Sequence, residues 1–175
     1  MRIIAYHGTN ETAKESILKT GFKCSEEDSG KIGRRGFGAY FWKAIPGHED
    51  VCERLAFGFV HRNSSFENCV AWCIKVEIKV EDDKFLDFND EFLKGKVLLF
   101  CNRFRKCDRD FAGKVYNLVL EEMEKELGFR ILAYEVSVTP PKSCHFPIDL
   151  IGMPNCIVVR DKSLIEIITC KSEEN

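Results

Sequence analysis

Two short segments near the start of the sequence combine residue types that could hold a planar carboxamide. Residues 5–9 read Ala-Tyr-His-Gly-Thr, and residues 36–42 read Gly-Phe-Gly-Ala-Tyr-Phe-Trp. The imidazole of His7 can donate or accept a hydrogen bond, and Gly8 leaves its main-chain amide open to close approach because it has no side chain. The flat ring of Tyr40 can stack on another ring. Together these residues predict a site for a planar group that carries an amide.

Regular elements are predicted on either side of these residues. Apolar residues before His7 indicate a strand over 2–7, which leads into a helix over 11–20 that Asn10 caps and Gly21 ends. A charged, glycine-rich loop follows, and a second strand over 38–43 carries the tyrosine. The two motifs therefore sit at strand ends, where side chains and main-chain groups can meet a ligand.

The rest of the chain alternates between helical and strand patterns. Strict alternation of apolar residues over 70–80 gives the cleanest strand. Other predicted elements are a helix from Pro46 to about Arg62, helices near 89–105 and 109–127, and strands over 130–138, 156–160 and 164–170. Strands thus bracket a central helical pair, which indicates an α+β fold.

Composition limits the class of protein. The 175 residues are 45% hydrophobic and 31% charged, with a net charge of −2. These values are typical of one globular domain, which we assign to residues 1–171 with a tail over 172–175. No overall basic field indicates nucleic acid, and no stretch approaches the roughly 18 apolar residues of a membrane span. Because the chain enters its first strand at once, a signal peptide is not expected, and we predict a cytoplasmic protein.

The nine cysteines are spread along the sequence. They form no Cys-x-x-Cys pair, so neither a zinc knuckle nor another metal site is predicted. Reduced thiols are the favoured interpretation for a cytoplasmic protein, and a disulfide framework is the alternative.

The two motifs resemble the nicotinamide-binding signature of the ADP-ribosyltransferases, specifically the diphtheria-toxin and poly(ADP-ribose) polymerase branch. That branch carries His-Gly-Thr or His-Gly-Ser on one strand and Gly-x-Tyr-Phe on the next. The resemblance implies one ADP-ribosyltransferase-like domain with a two-sheet core, in which residues 84–128 are a helical insertion. It also implies NAD as substrate, with His7 on the adenine-side ribose, Gly8 on the carboxamide and Tyr40 stacked on the nicotinamide.

Further cofactor contacts follow from the same resemblance. Thr9 would hold the turn or reach the ribose. A second aromatic would complete a sandwich around the nicotinamide, and Phe57 is the candidate, with Phe59 or Trp42 as alternatives. An ordinary buried phenylalanine is the competing interpretation of each.

The glycine-rich loop before Tyr40 supplies the remaining candidates. Arg34 and Arg35 could meet the NAD pyrophosphate as charged donors, or could belong to a solvated loop. Gly38, at the start of the second strand, is included among the cofactor-binding positions.

The third position of the resemblance departs from the family. The family strand reads roughly Asn-Glu-Tyr-Ile-Val-Tyr-Asn, whereas residues 155–161 read Asn-Cys-Ile-Val-Val-Arg-Asp. Cys156 therefore stands where the resemblance implies a catalytic glutamate that stabilises an oxocarbenium-like transition state. Asn155, Asp149 or Glu135 could substitute for it. Chain-building polymerase activity is not predicted, and transfer of a single ADP-ribose is.

A basic segment raises the question of the acceptor. Its charged residues are interleaved with phenylalanines, a combination that suits single-stranded nucleic acid, although a solvated helix face is the ordinary alternative. The segment comprises Lys94, Lys96, Arg103, Arg105, Lys106 and Arg109.

We therefore predict an NAD-dependent mono-ADP-ribosyltransferase that acts on a protein or nucleic-acid acceptor. Stand-alone domains that resemble this one are often bacterial toxins, including anti-phage effectors, and such a role would imply a cognate antitoxin as partner. Two alternatives remain: a catalytically inactive binding module of the same fold, and an RNA 2′-phosphotransferase-like enzyme. The second would need basic residues around His7, which the motif lacks.

Overall fold

The structure of the protein is a computed structural model that describes residues 1–24, 32–62, 69–102 and 111–173. Within these ranges the chain forms an α+β fold around a mixed sheet. The strands are β1 (Arg2–Asn10), β2 (Ala39–Lys43), β3 (Ala71–Lys79), β4 (Phe85–Asp87), β5 (Ala133–Ser137), β6 (Asn155–Val159) and β7 (Ile165–Ser172). The helices are α1 (Glu11–Thr20), α2 (Glu49–Arg62), α3 (Glu91–Asn102), α4 (Phe111–Leu127) and the short α5 (Ile148–Ile151).

The described strands are hydrogen-bonded in the order β4-β5-β6-β2-β1-β3-β7. Neighbours are antiparallel except β4 and β5, which are parallel. We expected two sheets, but main-chain pairing joins the strands into one. The join is narrow, because the register between β1 and β2 contains only the pairs Ala5–Lys43 and Tyr6–Trp42.

The first helix begins and ends at the predicted residues. The side chain of Asn10 accepts a hydrogen bond from the main-chain N–H of Ala13 at 2.8 Å, which is an N-cap. Gly21 ends the helix with φ 81°, and its N–H donates to the Ile17 carbonyl at 2.8 Å. The cap at Asn10 is also the last residue of β1, which runs three residues beyond the predicted strand, so the His-Gly step lies within β1 near its end.

The two faces of the sheet have different coverings. We call the face that carries Ala5, Phe41 and Ile157 the inner face, because apolar residues from β3 and from β5 and β6 share one buried cluster there. The sheet therefore curves around that cluster. We call the opposite face the helical face, since α2 packs on it beside Trp42 and α4 packs on it beside Val158.

The middle of the chain is not purely helical. The predicted helices near 89–105 and 109–127 are present as α3 and α4. However, Phe85–Asp87 within the expected helical insertion forms β4 and extends the sheet beside β5. Three residues are too few for a strand to show alternation, so the sequence pattern could not reveal it.

Some features are not found within the described ranges. No described helix has the length and apolar character needed to cross a membrane. Among the same residues, no group of three His, Cys, Asp or Glu side chains is placed to hold a metal ion.

Candidate functional site

The His7 imidazole is neutral and held in one tautomer. Its Nδ1 lies 2.8 Å from the main-chain carbonyl oxygen of Tyr40. Because a carbonyl can only accept, Nδ1 carries the proton and Nε2 is left as an acceptor. The ring lies 5.2 Å from the Phe22 ring and 5.5 Å from the Phe41 ring, centroid to centroid. This burial lowers the pKa of His7 below its ordinary value of 6.5, although the hydrogen bond to Tyr40 opposes the shift. His7 is therefore neutral at pH 7 and offers a lone pair.

Gly8 follows at the point where β1 and β2 separate. The Ile4 carbonyl accepts from the Ala44 N–H at 2.9 Å, so Ile4 directs its main-chain groups toward β2. Alternate residues of a strand direct their main-chain groups to the same side, and Gly8 therefore does the same. The register between β1 and β2 ends at Tyr6–Trp42. The N–H and C=O of Gly8 thus face the gap beyond that pair, where a carboxamide could supply the matching acceptor and donor.

The Cα of Gly8 is closely covered on the helical face. A β-carbon built on it would lie 2.6 Å from the carbonyl carbon of Ala56 in α2. Glycine is needed here because helix α2 fills the space of a side chain. Thr9, the next residue, is 3% exposed.

The Tyr40 ring lies on the helical face, whereas the His7 ring lies on the inner face. Tyr40 packs against the buried cluster of Val115, Tyr134 and Cys156. Its hydroxyl donates to the Gly36 carbonyl at 2.6 Å and accepts from the Arg35 N–H at 3.1 Å. Burial raises the pKa of the Tyr40 phenol far above its ordinary value of 10.0. The structure brings His7 and Tyr40 together through main-chain contact, and does not place the two rings around one space.

The arginine pair separates into a half-buried and an exposed member. The guanidinium carbon of Arg35 lies 5.4 Å from the centroid of the Tyr116 ring, and Nη2 lies 3.5 Å from the Ser137 carbonyl oxygen. Nε of Arg35 is buried and has no hydrogen-bond partner among the described residues. Arg34 is exposed. Arg35 is thus the arginine that lies next to Tyr40.

The expected aromatic sandwich is not assembled in this structure. Phe57 is 8% exposed and belongs to a cluster with Tyr6 and Trp42, whereas Tyr40 belongs to another. Phe59 is exposed. Phe57 and Trp42 therefore serve the packing of α2 on the sheet.

Gly38 has a structural role that sequence reasoning did not assign. Its φ is 150°, and a β-carbon there would lie 2.8 Å from the main-chain oxygen of Val159 on β6. This close approach lets β2 begin directly against β6.

Cys156 is a core residue, contrary to its placement opposite the ribose. It is 4% exposed and pairs with Trp42 in register, so its side chain points to the helical face. Burial raises the pKa of its thiol to about 12, although the Arg35 charge opposes the shift. The thiol is protonated at neutral pH and supplies no negative charge.

The three proposed substitutes for the glutamate lie in different places. Glu135 and Asn155 are bonded to each other on the inner face, through Asn155 Nδ2 and Glu135 Oε1. The other carboxylate oxygen of Glu135 pairs with Lys43 Nζ at 2.6 Å. Asp149 is exposed on α5. Glu135 is three strand spacings from β1, about 14 Å, so it does not join the gap at Gly8.

Sequence reasoning missed a polar network around that carboxylate. Ser137 Oγ lies within hydrogen-bonding distance of two amide oxygens, Asn89 Oδ1 at 2.7 Å and Asn155 Oδ1 at 3.1 Å. Glu135 and Lys43 also line an open cavity of about 530 Å³ at the start of β1. No local motif marks this network, because its members come from separate strands and one loop. The network lies near the start of β1, whereas His7 lies near the other end of that strand.

Only part of the basic segment lies in the described ranges. Lys94 pairs with Glu91 at 2.9 Å, and Lys96 pairs with Glu122 at 3.1 Å and Glu126 at 3.0 Å. These pairs offset both charges, which weakens the case for a nucleic-acid path along α3. The other members lie outside the described residues: Arg103, Arg105, Lys106 and Arg109.

The lowered pKa of His7 predicts how stability depends on pH. The unfolded chain takes up a proton on His7 as the pH falls through about 6.5, whereas the folded chain does so only at lower pH. The free energy of unfolding should therefore decrease over this interval. His7→Gln removes this contribution, so urea unfolding at pH 7.5 and 5.5 should show a smaller loss of stability in the variant than in the wild type. An equal loss in both would contradict a lowered pKa of His7 in the folded protein.

Comparisons with known proteins add little to these observations. Among solved structures, the chain is similar to one in the crystal structure of the M. tuberculosis MbcT–MbcA toxin–antitoxin complex. The TM-score is 0.49 at 8% sequence identity, over 99% of this chain and 85% of the other. A similarity at this level establishes neither a shared fold nor a shared function. Searches of protein-family models and of curated proteins found no match.

Proposed function

We propose that this protein is an NAD-dependent mono-ADP-ribosyltransferase whose nicotinamide site is the gap where β1 and β2 separate. The observation that carries the proposal is the fixed pair at the end of β1. His7 presents an unprotonated Nε2, and Gly8 directs its main-chain N–H and C=O into the gap. These are the groups that the sequence resemblance implies for a ribose hydroxyl and a carboxamide.

The proposed chemistry breaks the bond between nicotinamide and ribose and passes the ADP-ribose to an acceptor. Gly8 would hold the carboxamide, and His7 Nε2 would accept a hydrogen bond from a ribose hydroxyl. Arg35 would meet the pyrophosphate, and its Nε, which has no partner within the described ranges, supports this role. With a protonated thiol at Cys156, positive charge that develops on the ribose would be stabilised by the bound pyrophosphate. The acceptor is a protein or a nucleic acid, and a toxin role with a cognate antitoxin is part of this proposal.

Labelled NAD tests the transfer directly. We expect incubation with cell extract to move the adenine label onto a macromolecule, and protease or nuclease treatment then identifies its class. His7→Gln is the matched control, because glutamine keeps a donor but lacks the fixed Nε2 lone pair. Label that stays on NAD with every extract would contradict transferase activity.

A binding module is the second candidate, and the position of Cys156 favours it. The site lacks a carboxylate at the third position among the described residues, since Cys156 is buried and Glu135 pairs with Lys43. Isothermal titration with NAD, followed by an assay for nicotinamide, separates the two candidates. Binding without release of nicotinamide would favour the module.

A further inference from the structure

The turn before β2 packs directly on the ring of Tyr40. We call residues Gly33–Phe37 the strap. Gly36 N–H donates to the Gly33 carbonyl at 3.1 Å, which closes the strap into a tight turn. A β-carbon on Gly33 would lie 2.6 Å from Cζ and 2.7 Å from Cε2 of Tyr40, so the Gly33 main chain touches that ring. The strap therefore covers part of the surface that a stacked ligand would use.

Helix α4 closes the strap from the other side. A β-carbon on Gly113 would collide with the Gly33 carbonyl oxygen and would lie 2.9 Å from the Ile32 side chain. The strap is thus held between Tyr40 and α4, with no room for a further ring between Gly33 and Tyr40.

Side chains that lie outside the strap hold it closed. Tyr134 Oη donates to the Arg35 carbonyl at 2.5 Å, and Asn117 Oδ1 accepts from the Phe37 N–H at 3.1 Å. The Tyr40 hydroxyl adds the bonds to Gly36 and Arg35 described above. Each of these bonds ends on a main-chain group of the strap, so they fix its path whatever its side chains are.

In the closed strap, the guanidinium of Arg35 has few hydrogen-bond partners among the described residues. The guanidinium of Arg35 lies over the Tyr116 ring and makes one long hydrogen bond, at 3.5 Å, to the Ser137 carbonyl, and its Nε has no partner within the described residues. A buried Nε without a hydrogen bond, on a half-buried arginine, makes the closed state less favourable than its other contacts suggest. Lifting the strap would return this group to water or to an anion.

We propose that the strap is an occluding element that must lift from Tyr40 before a nicotinamide ring can stack there, and that Tyr134 and Asn117 hold it closed. The proposal rests on the proposed function for the identity of the ligand. It assigns positioning roles to two residues that the sequence motifs do not include.

Trypsin can measure the opening without any ligand, because the strap contains Arg34 and Arg35. Cleavage of a transiently opened segment follows its open population when opening and closing are fast. Tyr134→Phe and Asn117→Ala each remove one holding bond and should speed cleavage after Arg34 and Arg35 by roughly 2- to 10-fold. Tyr116→Phe is the matched control, since it keeps the ring under Arg35 and removes a hydroxyl that makes none of the bonds described above. Cleavage after Lys19 in α1 reports general loosening and should not change.

Nicotinamide binding supplies the second measurement, with nicotinamide itself as the probe. If the strap occludes the Tyr40 ring, Tyr134→Phe and Asn117→Ala should each bind nicotinamide more tightly than the wild type. The gain in affinity should equal the factor by which each variant speeds trypsin cleavage. Weaker binding in the loosened variants would overturn occlusion, because the strap would then be part of the binding surface. If no variant binds nicotinamide, the proposed function fails. The cleavage rates alone then decide whether Tyr134 and Asn117 hold the strap closed. Unchanged rates in both variants would refute the holding roles of Tyr134 and Asn117.

Discussion

Cys156→Lys is expected to leave little or no folded protein, whereas Cys156→Ala is expected to fold. The side chain at 156 is 4% exposed, lies against the cluster under α4 and is close enough to Arg35 for its charge to influence the thiol. An unpaired buried ion costs several kcal/mol, and the larger side chain adds about 1–3 kcal/mol of overpacking. Together these costs are a large part of the roughly 5–15 kcal/mol by which domains are stable.

The measurement is soluble yield and urea unfolding of the two variants beside the wild type. The comparison separates two views of this position. A residue that faced the ribose in an open cleft would tolerate lysine, because the ammonium would reach water. A stable Cys156→Lys variant would therefore mean that position 156 faces an open cleft, and would contradict its place in the core.

Tyr40→Ala is expected to lose about 3–5 kcal/mol of unfolding free energy, by analogy with other buried aromatic residues. The change removes a ring packed against the α4 cluster and leaves the Gly36 carbonyl and the Arg35 N–H without their partner. Tyr40→Phe keeps the ring and should lose only about 1–2 kcal/mol. Loss of activity in Tyr40→Ala alone would thus not identify a stacking role.

Urea unfolding of Tyr40→Ala and Tyr40→Phe, with Tyr116→Phe as control, separates the stability contributed by the Tyr40 ring from that contributed by its hydroxyl. The hydroxyl of Tyr116 makes none of the strap bonds, so its removal should cost less than removal of the Tyr40 hydroxyl. An alanine variant as stable as the phenylalanine variant would mean that the ring contributes nothing to packing, and would free Tyr40 for a purely ligand-facing role.

The local features of the site could be predicted from sequence because they depend on neighbours along the chain. The cap at Asn10 marks the end of β1, shortly after the His-Gly step, and Gly21 ends the helix that follows. The α+β class, α1, α3 and α4 were predicted for the same reason, since helical periodicity and helix-ending residues are local signals.

The faces of the sheet could not be predicted, because they depend on pairing between distant strands. Ala5 pairs with Lys43, which places His7 on the face of Phe41 and not on that of Tyr40. In the same way, Trp42 pairs with Cys156 and directs the thiol into the core. A shift of one residue in either register would reverse these assignments.

The strap and the carboxylate network depend on contacts between residues that are far apart along the chain, which the sequence does not reveal. Tyr134 and Asn117 reach the strap from β5 and α4, far along the chain. Lys43 reaches Glu135 across β6. Each of these residues has an ordinary explanation as a strand or helix residue, and only the packed structure shows its partner.

Release of nicotinamide from NAD, measured for the wild type and His7→Ala at equal folded concentration, tests the central proposal most directly. The proposed site predicts measurable release by the wild type. It also predicts a loss on the order of 10²-fold in His7→Ala, the effect typical of removing one positioned polar group. Thermal melting should show that the variant is folded. Equal release by the two proteins, or none by the wild type, would contradict an NAD-cleaving site at the end of β1.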